Sequence, residues 1–146
     1  MMTFRSNGEP FKINDDGKDV LEKYPKEFYG LAAVDAINNE EAFEIIDKYV
    51  VNGTYTGSRL EPTAAPAGFP PVNINDERIY PVIEKCQELG LPISVLRGLC
   101  GFDGTASRSD RIFDVCMTFP KVKFMLLHGA WPEFRSIICK HLSKSF

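Results

Sequence analysis

Apolar positions along the chain gather into four short runs, and each is followed by a stretch whose apolar residues recur at helical spacing. The runs are Tyr29 to Asp35, Tyr55 to Glu61, Leu91 to Gly98 and Lys123 to His128. Ala42, Ile45, Ile46, Tyr49 and Val50 form the stripe after the first run, until Asn52-Gly53 stops it. After the second, Asp76 is placed to cap a helix with Ile79, Val82, Ile83, Cys86 and Leu89 inward, Pro81 in its first turn and Gly90 as terminator. Ile112, Phe113, Val115 and Cys116 follow the third run and end at Phe119-Pro120, and Phe134, Ile137, Ile138 and Leu142 follow the fourth. Phe124 to Leu127 show no alternation, which predicts a strand covered on both faces. Ahead of all this lies a polar extension, residues 1–18, and a short helix in which Val20, Leu21 and Tyr24 share a face before Pro25.

Strand and helix alternating in this way give an α/β fold, a parallel βα repeat with right-handed crossovers. Periodicity leaves two architectures open, an open doubly wound sheet and an arc of a (β/α)₈ barrel. A full barrel takes about 250 residues, so a chain of 146 is half of one by length.

Composition narrows the function classes. With 44% apolar residues the chain can bury a core as a single domain, residues 1–146. The net charge of -3 comes from interspersed charges without a single-sign run, which argues against nucleic acid and anionic membranes as partners. No apolar stretch is long enough to span a bilayer, and Met1-Met-Thr-Phe-Arg-Ser lacks the core of a signal peptide, so a cytoplasmic location is expected. Cys86, Cys116 and Cys139 fall on apolar helix faces and are expected to pack.

Candidate chemistry collects at the carboxyl ends of the predicted strands, where α/β sheets and barrels place their sites. His128 ends the fourth strand, with Gly129 to turn the chain and Pro132 to start a helix. Asp35 and Glu61 end the first two strands, so two carboxylates and an imidazole could in principle form a facial metal site. Their ordinary alternative is to cap the following helices. Arg97 can clamp a substrate carboxylate or pair with Asp103 or Glu61, and Trp131 can line a pocket or lie as a lid on the sheet end. Cys100 lies in a strand-end loop, and as a nucleophile it would need a base beside it. Residues 62–75 carry four prolines in a loop too long for a plain βα connection.

Four segments follow one another as in a known family: Phe28-Tyr-Gly-Leu-Ala-Ala-Val-Asp35, Gly57-Ser-Arg-Leu-Glu-Pro62, Ile79 to Ile93, and Phe119-Pro-Lys-Val-Lys-Phe-Met-Leu-Leu-His-Gly-Ala-Trp-Pro132. In these the chain resembles the amidohydrolase-related metal-dependent hydrolases, whose TIM barrel also serves decarboxylases similar to aminocarboxymuconate semialdehyde decarboxylase. The resemblance implies that the four strands correspond to strands three to six of eight. It also implies a divalent metal, zinc or similar, and a small-molecule substrate. The family's metal is held by an H-x-H pair on the first strand, a histidine ending the fifth and an aspartate after the eighth. Strands one, seven and eight have no counterpart here, and the fifth-strand His-x-Gly position reads Leu96-Arg97-Gly98. The sixth-strand His-Gly is kept at His128, which the resemblance makes an acid/base group and not a ligand. Arg97 and Trp131 are carried as substrate-binding candidates, and the metal ligands remain unknown.

Two readings follow. One is a metal-dependent hydrolase or decarboxylase, impaired in this chain alone because about three protein ligands are needed. The other is a non-catalytic binding or assembly protein on a degenerate half-barrel. In either case a metal ion is expected to be absent or weakly bound. Four strands from the middle of a barrel leave two edges, so a homodimer of half-barrels is also expected. Leu96 offers a test of the lost ligand position. If it joins a water-excluding pack with Leu99 and Leu127, Leu96→Ala destabilises the protein by roughly 2–4 kcal/mol in urea denaturation. A loss below about 0.5 kcal/mol would place Leu96 against an open cavity.

Overall fold

Four parallel strands build one sheet in the order β1-β2-β3-β4. The computed structural model describes residues 10–35, 37–60, 72–95 and 108–130. Helix α1 (Pro10–Lys23) precedes β1 (Leu31–Ala33), and α2 (Asn39–Ile45) leads towards β2 (Gly57–Leu60). A 3-10 turn at Glu77–Ile79 opens α3 (Tyr80–Glu88), which is followed by β3 (Ile93–Val95), α4 (Ser109–Thr118) and β4 (Phe124–Leu126). A second 3-10 turn, Leu127–Ala130, leaves β4. The predicted helix at residues 134–142 lies outside the described residues.

Register and one side-chain contact fix the two faces of the sheet. Ser58 pairs with Ala32's strand on one side and with Ile93 on the other, and its hydroxyl lies 3.6 Å from the Cys86 sulfur on α3. Ser58 therefore looks towards the helices, together with its row Ala32, Ile93 and Phe124. The next residue of each strand looks the other way, so Ala33, Arg59, Ser94 and Met125 form a row on the opposite face. Ala42 and Ile45 of α2 with Ile46 just after it, Val82 and Ile83 of α3, and Ile112 and Val115 of α4 share one buried cluster with Ala32, Leu60, Ile93 and Val95. With α2, α3 and α4 in the same cluster over one face, the sheet is an arc of a barrel and not a doubly wound sheet.

Local chemistry explains the helix ends. The Asp76 carboxylate accepts the Arg78 N–H at 3.0 Å, capping the turn that opens α3, and Pro81 sits in the first turn of that helix, where its missing N–H costs nothing. Gly90 takes a φ of +67° and closes the same helix, as the sequence predicts. Helix α2 continues past Ile45 in a wider winding over Ile46–Val51, with Asn52 N–H reaching back five residues to Asp47 O at 3.0 Å. That winding keeps both Tyr49 and Val50 buried.

Two expectations change. The polar segment before residue 18 is helical from Pro10, and Asn14 within it is 1% exposed. Its polar residues misled because the inward face of α1 is carried by Asn14, Gly17 and Leu21, at helical spacing but with only one large apolar member. Strand β4 is not covered on both faces, since Met125 is 40% exposed and Phe124 and Leu126 are half-buried. It is the outer strand of the sheet, and its apolar run reflects the cover that an inner barrel strand would have.

Gly57 marks a close approach within the ladder, because a Cβ there would stand 2.5 Å from the Pro92 carbonyl oxygen and 2.8 Å from its Cγ. Gly57→Ala is expected to destabilise the protein by about 1–3 kcal/mol in urea denaturation, since backbone must shift to relieve the contact. An effect within about 0.3 kcal/mol of zero would show that β2 and β3 slide apart without cost.

Candidate functional site

The carboxyl ends of β1 and β4 bring two of the candidate residues into view. Asp35 follows β1, and its carboxylate accepts the Ile37 N–H at 3.1 Å in a turn that leads into α2. Glu41 stands in the first turn of that helix. Burial pushes its carboxyl above the usual range, and the charges of Asp35 and Glu44 push it further in the same direction. Glu41 thus stands near the strand-end carboxylate at the start of α2, where it also complements the helix dipole. The clue was its position six residues after a strand-end carboxylate.

His128 is exposed, in the turn after β4, with a φ of +59°. Among the described residues it is the one non-glycine in the left-handed region. A Cβ in that conformation crowds the backbone and costs about 1–2 kcal/mol. Such strain is characteristic of positions fixed for what their side chain does. The predicted strand ends at Leu126 and not at His128, so the histidine is carried by the turn beyond the ladder.

The sheet order separates the histidine from the carboxylate. β1 and β4 are the outer strands, and three interstrand spacings place Asp35 and His128 roughly 14 Å apart along the sheet. Glu61, the third member of the suggested facial set, lies outside the described residues, as do Leu96, Arg97, Cys100, Asp103 and Trp131. Among the described residues, no three His, Cys, Asp or Glu side chains stand close enough to hold one ion. This donor set does not fit a closed metal site. Cys86 is buried against Ser58 and Cys116 is partly buried, and burial pushes both thiols up, as suits packing residues.

Away from the mouth, a cavity of about 290 Å³ lies between α1 and β1, lined by residues that include Val20, Phe28, Tyr29, Tyr55 and Arg59. Its lining runs along β1 from Gly30 to Ala33 and includes Arg59 of β2. No helix among the described residues is long and apolar enough to cross a membrane.

A sequence model of the amidohydrolase family matches residues 5–141. Among solved structures, the chain is similar to an uncharacterised TIM-barrel protein from Bordetella bronchiseptica, at 26% identity and a TM-score of 0.77, over 90% of this chain and 46% of that one. It shares the fold of a dihydroxybenzoic acid decarboxylase from Polaromonas with bound manganese and 2-nitroresorcinol, at 18% identity and a TM-score of 0.62, over 83% of this chain and 43% of that one. It likewise shares the fold of a 5-carboxyvanillate decarboxylase from Novosphingobium aromaticivorans in complex with manganese and 4-hydroxy-3-methoxy-5-nitrobenzoic acid, at 15% identity and a TM-score of 0.66, over 92% of this chain and 44% of that one. The chain spans under half the length of each of these three. Comparison with curated proteins gives no match.

The strain at His128 makes a prediction about stability alone. Because the side chain is exposed and the backbone left-handed, His128→Gly is expected to raise stability by up to about 1 kcal/mol. His128→Val, β-branched, should lower it by more than about 1 kcal/mol. Equal stability of the two variants in thermal or urea denaturation would mean that the turn carries no strain.

Proposed function

This chain belongs to the amidohydrolase family, and from that premise we propose that it contributes strands three to six of a catalytic barrel acting on a small carboxylic acid, by decarboxylation or by hydrolysis of a C–N or C–O bond. The observation that carries the reading is the family match over residues 5–141, with His128 at the carboxyl end of β4 in a strained turn. In the proposed reaction His128 exchanges a proton with the substrate or with an attacking water, a task suited to an exposed imidazole at a strand end. Arg97 orients the substrate carboxylate through paired N–H donors, and Trp131 closes the pocket wall. A cytoplasmic setting belongs to the same reading.

A divalent ion is what the family's chemistry implies, and it would supply an activated water. Among the described residues the donors do not make a place for it. The same donor shortage leads us to read catalysis as impaired in this chain alone. A homodimer is proposed as well, since Phe28 and Tyr29 beside β1 are 54% and 86% exposed and Met125 on β4 is 40% exposed, leaving apolar surface at both sheet edges. Sedimentation at micromolar concentration tests that point, and a monomer with cooperative unfolding would overturn it.

Metal analysis of protein purified without chelator should find less than about half an equivalent of zinc, manganese or iron. Stoichiometric metal that survives dialysis would show that the site is complete. Should stoichiometric metal and turnover of a small carboxylic acid be found, His128→Ala should slow that turnover at least about a hundredfold at unchanged metal occupancy. A fall in occupancy would make His128 a ligand instead, and unaltered turnover would remove it from the chemistry.

A further inference from the structure

The outer edge of β1 is closed by a side chain. Successive residues of a strand turn their backbone groups to opposite edges, and the Val34 N–H points to β2, where it reaches Arg59 O at 3.5 Å. Ala33 therefore turns its N–H and C=O outward. Both are held by one amide: Asn14 Nδ2 donates to Ala33 O at 2.9 Å, and Ala33 N–H donates to Asn14 Oδ1 at 2.8 Å. Asn14 is 1% exposed and Ala33 3%, so this pair lies out of water.

The Asn14 carboxamide turns an N–H donor and an oxygen acceptor to Ala33 side by side, which is what a neighbouring strand would offer to the same rung. We propose that Asn14 is an edge guard, terminating the sheet at β1 so that a further strand can join there only after α1 lifts away. The helix is held in place for that role. The Tyr55 hydroxyl donates to the Asn14 carbonyl at 2.8 Å, and the Tyr49 hydroxyl donates to Asp15 at 2.7 Å. At Gly17, one turn further along α1, any Cβ would collide with the Tyr55 hydroxyl, so the glycine is what lets the helix come this close. Burial pushes the Tyr55 hydroxyl up to about 12, with the charges of Tyr49, Asp15 and Asp16 adding to the effect, which keeps it protonated as a donor.

The guard has a consequence for assembly that does not depend on the catalytic reading. Every strand of a closed barrel has two strand neighbours. Here the second place beside Ala33 is taken by a helix side chain. Two copies cannot close into one barrel through a ladder at β1 while the guard is in place, nor can a strand from elsewhere pair across Ala33.

Amide hydrogen exchange and sedimentation of the full chain test this. In the wild type the Ala33 amide should be protected to the level of Val34. Asn14→Ala should speed Ala33 exchange at least about tenfold, leave Val34 unchanged and drive concentration-dependent assembly beyond the oligomeric state of the wild type. Adding Ala33→Pro to that variant removes the exposed N–H and should return the protein to the wild-type oligomeric state. Unchanged Ala33 exchange in Asn14→Ala, or assembly beyond the wild-type state that persists in the double variant, would overturn the guard. Should Asn14→Ala fail to fold, the wild type decides by itself: an Ala33 amide exchanging as fast as that of the exposed Tyr29 overturns the proposal, and protection like that of Val34 upholds it.

Discussion

The fold rests on a requirement of parallel sheets, that edge backbone groups removed from water must find partners. Leaving the outward N–H and C=O of a buried residue unpaired costs about 1–3 kcal/mol for each group. At Ala33 that requirement is met by Asn14, and it dictates much of the amino-terminal third of the protein. Helix α1 must lie along β1, Gly17 must lack a side chain, and Tyr55 and Tyr49 must rise from β2's approach and from the wide winding after α2 to hold the helix. The two tyrosine rings meet edge to face at 6.0 Å, so the supports brace one another.

The far edge of the sheet is handled differently. Among the described residues β4 pairs only with β3, and its Met125 is left well exposed. The backbone leaves that edge through a left-handed residue instead of continuing the ladder. The histidine there is thus separated from the packing that surrounds the helix-facing core. An exposed and strained residue is a poor contributor to stability and a natural place for a group that meets ligand.

Family membership and fold fix a setting more firmly than a reaction. The decarboxylases that share this fold do so at 18% and 15% identity, and this chain corresponds to less than half of either. Sites in such barrels are assembled from the ends of many strands, and a four-strand arc carries only part of one. Asp35 illustrates the difference between position and role. It stands at a strand end as a ligand would, yet its carboxylate serves the turn into α2 and lies across the sheet from His128.

The sequence by itself determined the repeat of strand and helix, the inward stripe of α2, that of α3 as far as Cys86, the Gly90 terminator and the family resemblance, because period, turn chemistry and motif spacing are local properties of the chain. Leu89, expected inward, is 45% exposed, because α3 ends at Glu88 before its stripe completes another turn. His128 was legible as a strand-end histidine for the same local reason. Its left-handed backbone was not, since nothing in Leu127-His128-Gly129 says which residue takes the turn. Only tertiary structure decided that α2, α3 and α4 share one face, that Asp35 and His128 stand at opposite edges, and that the charge of Asp35 acts on Glu41. The largest surprise was Asn14, read as part of a polar extension and found in the core. A polar side chain is inward only if a partner waits there, and its partner is a backbone rung 19 residues away whose need arises from the order of the strands.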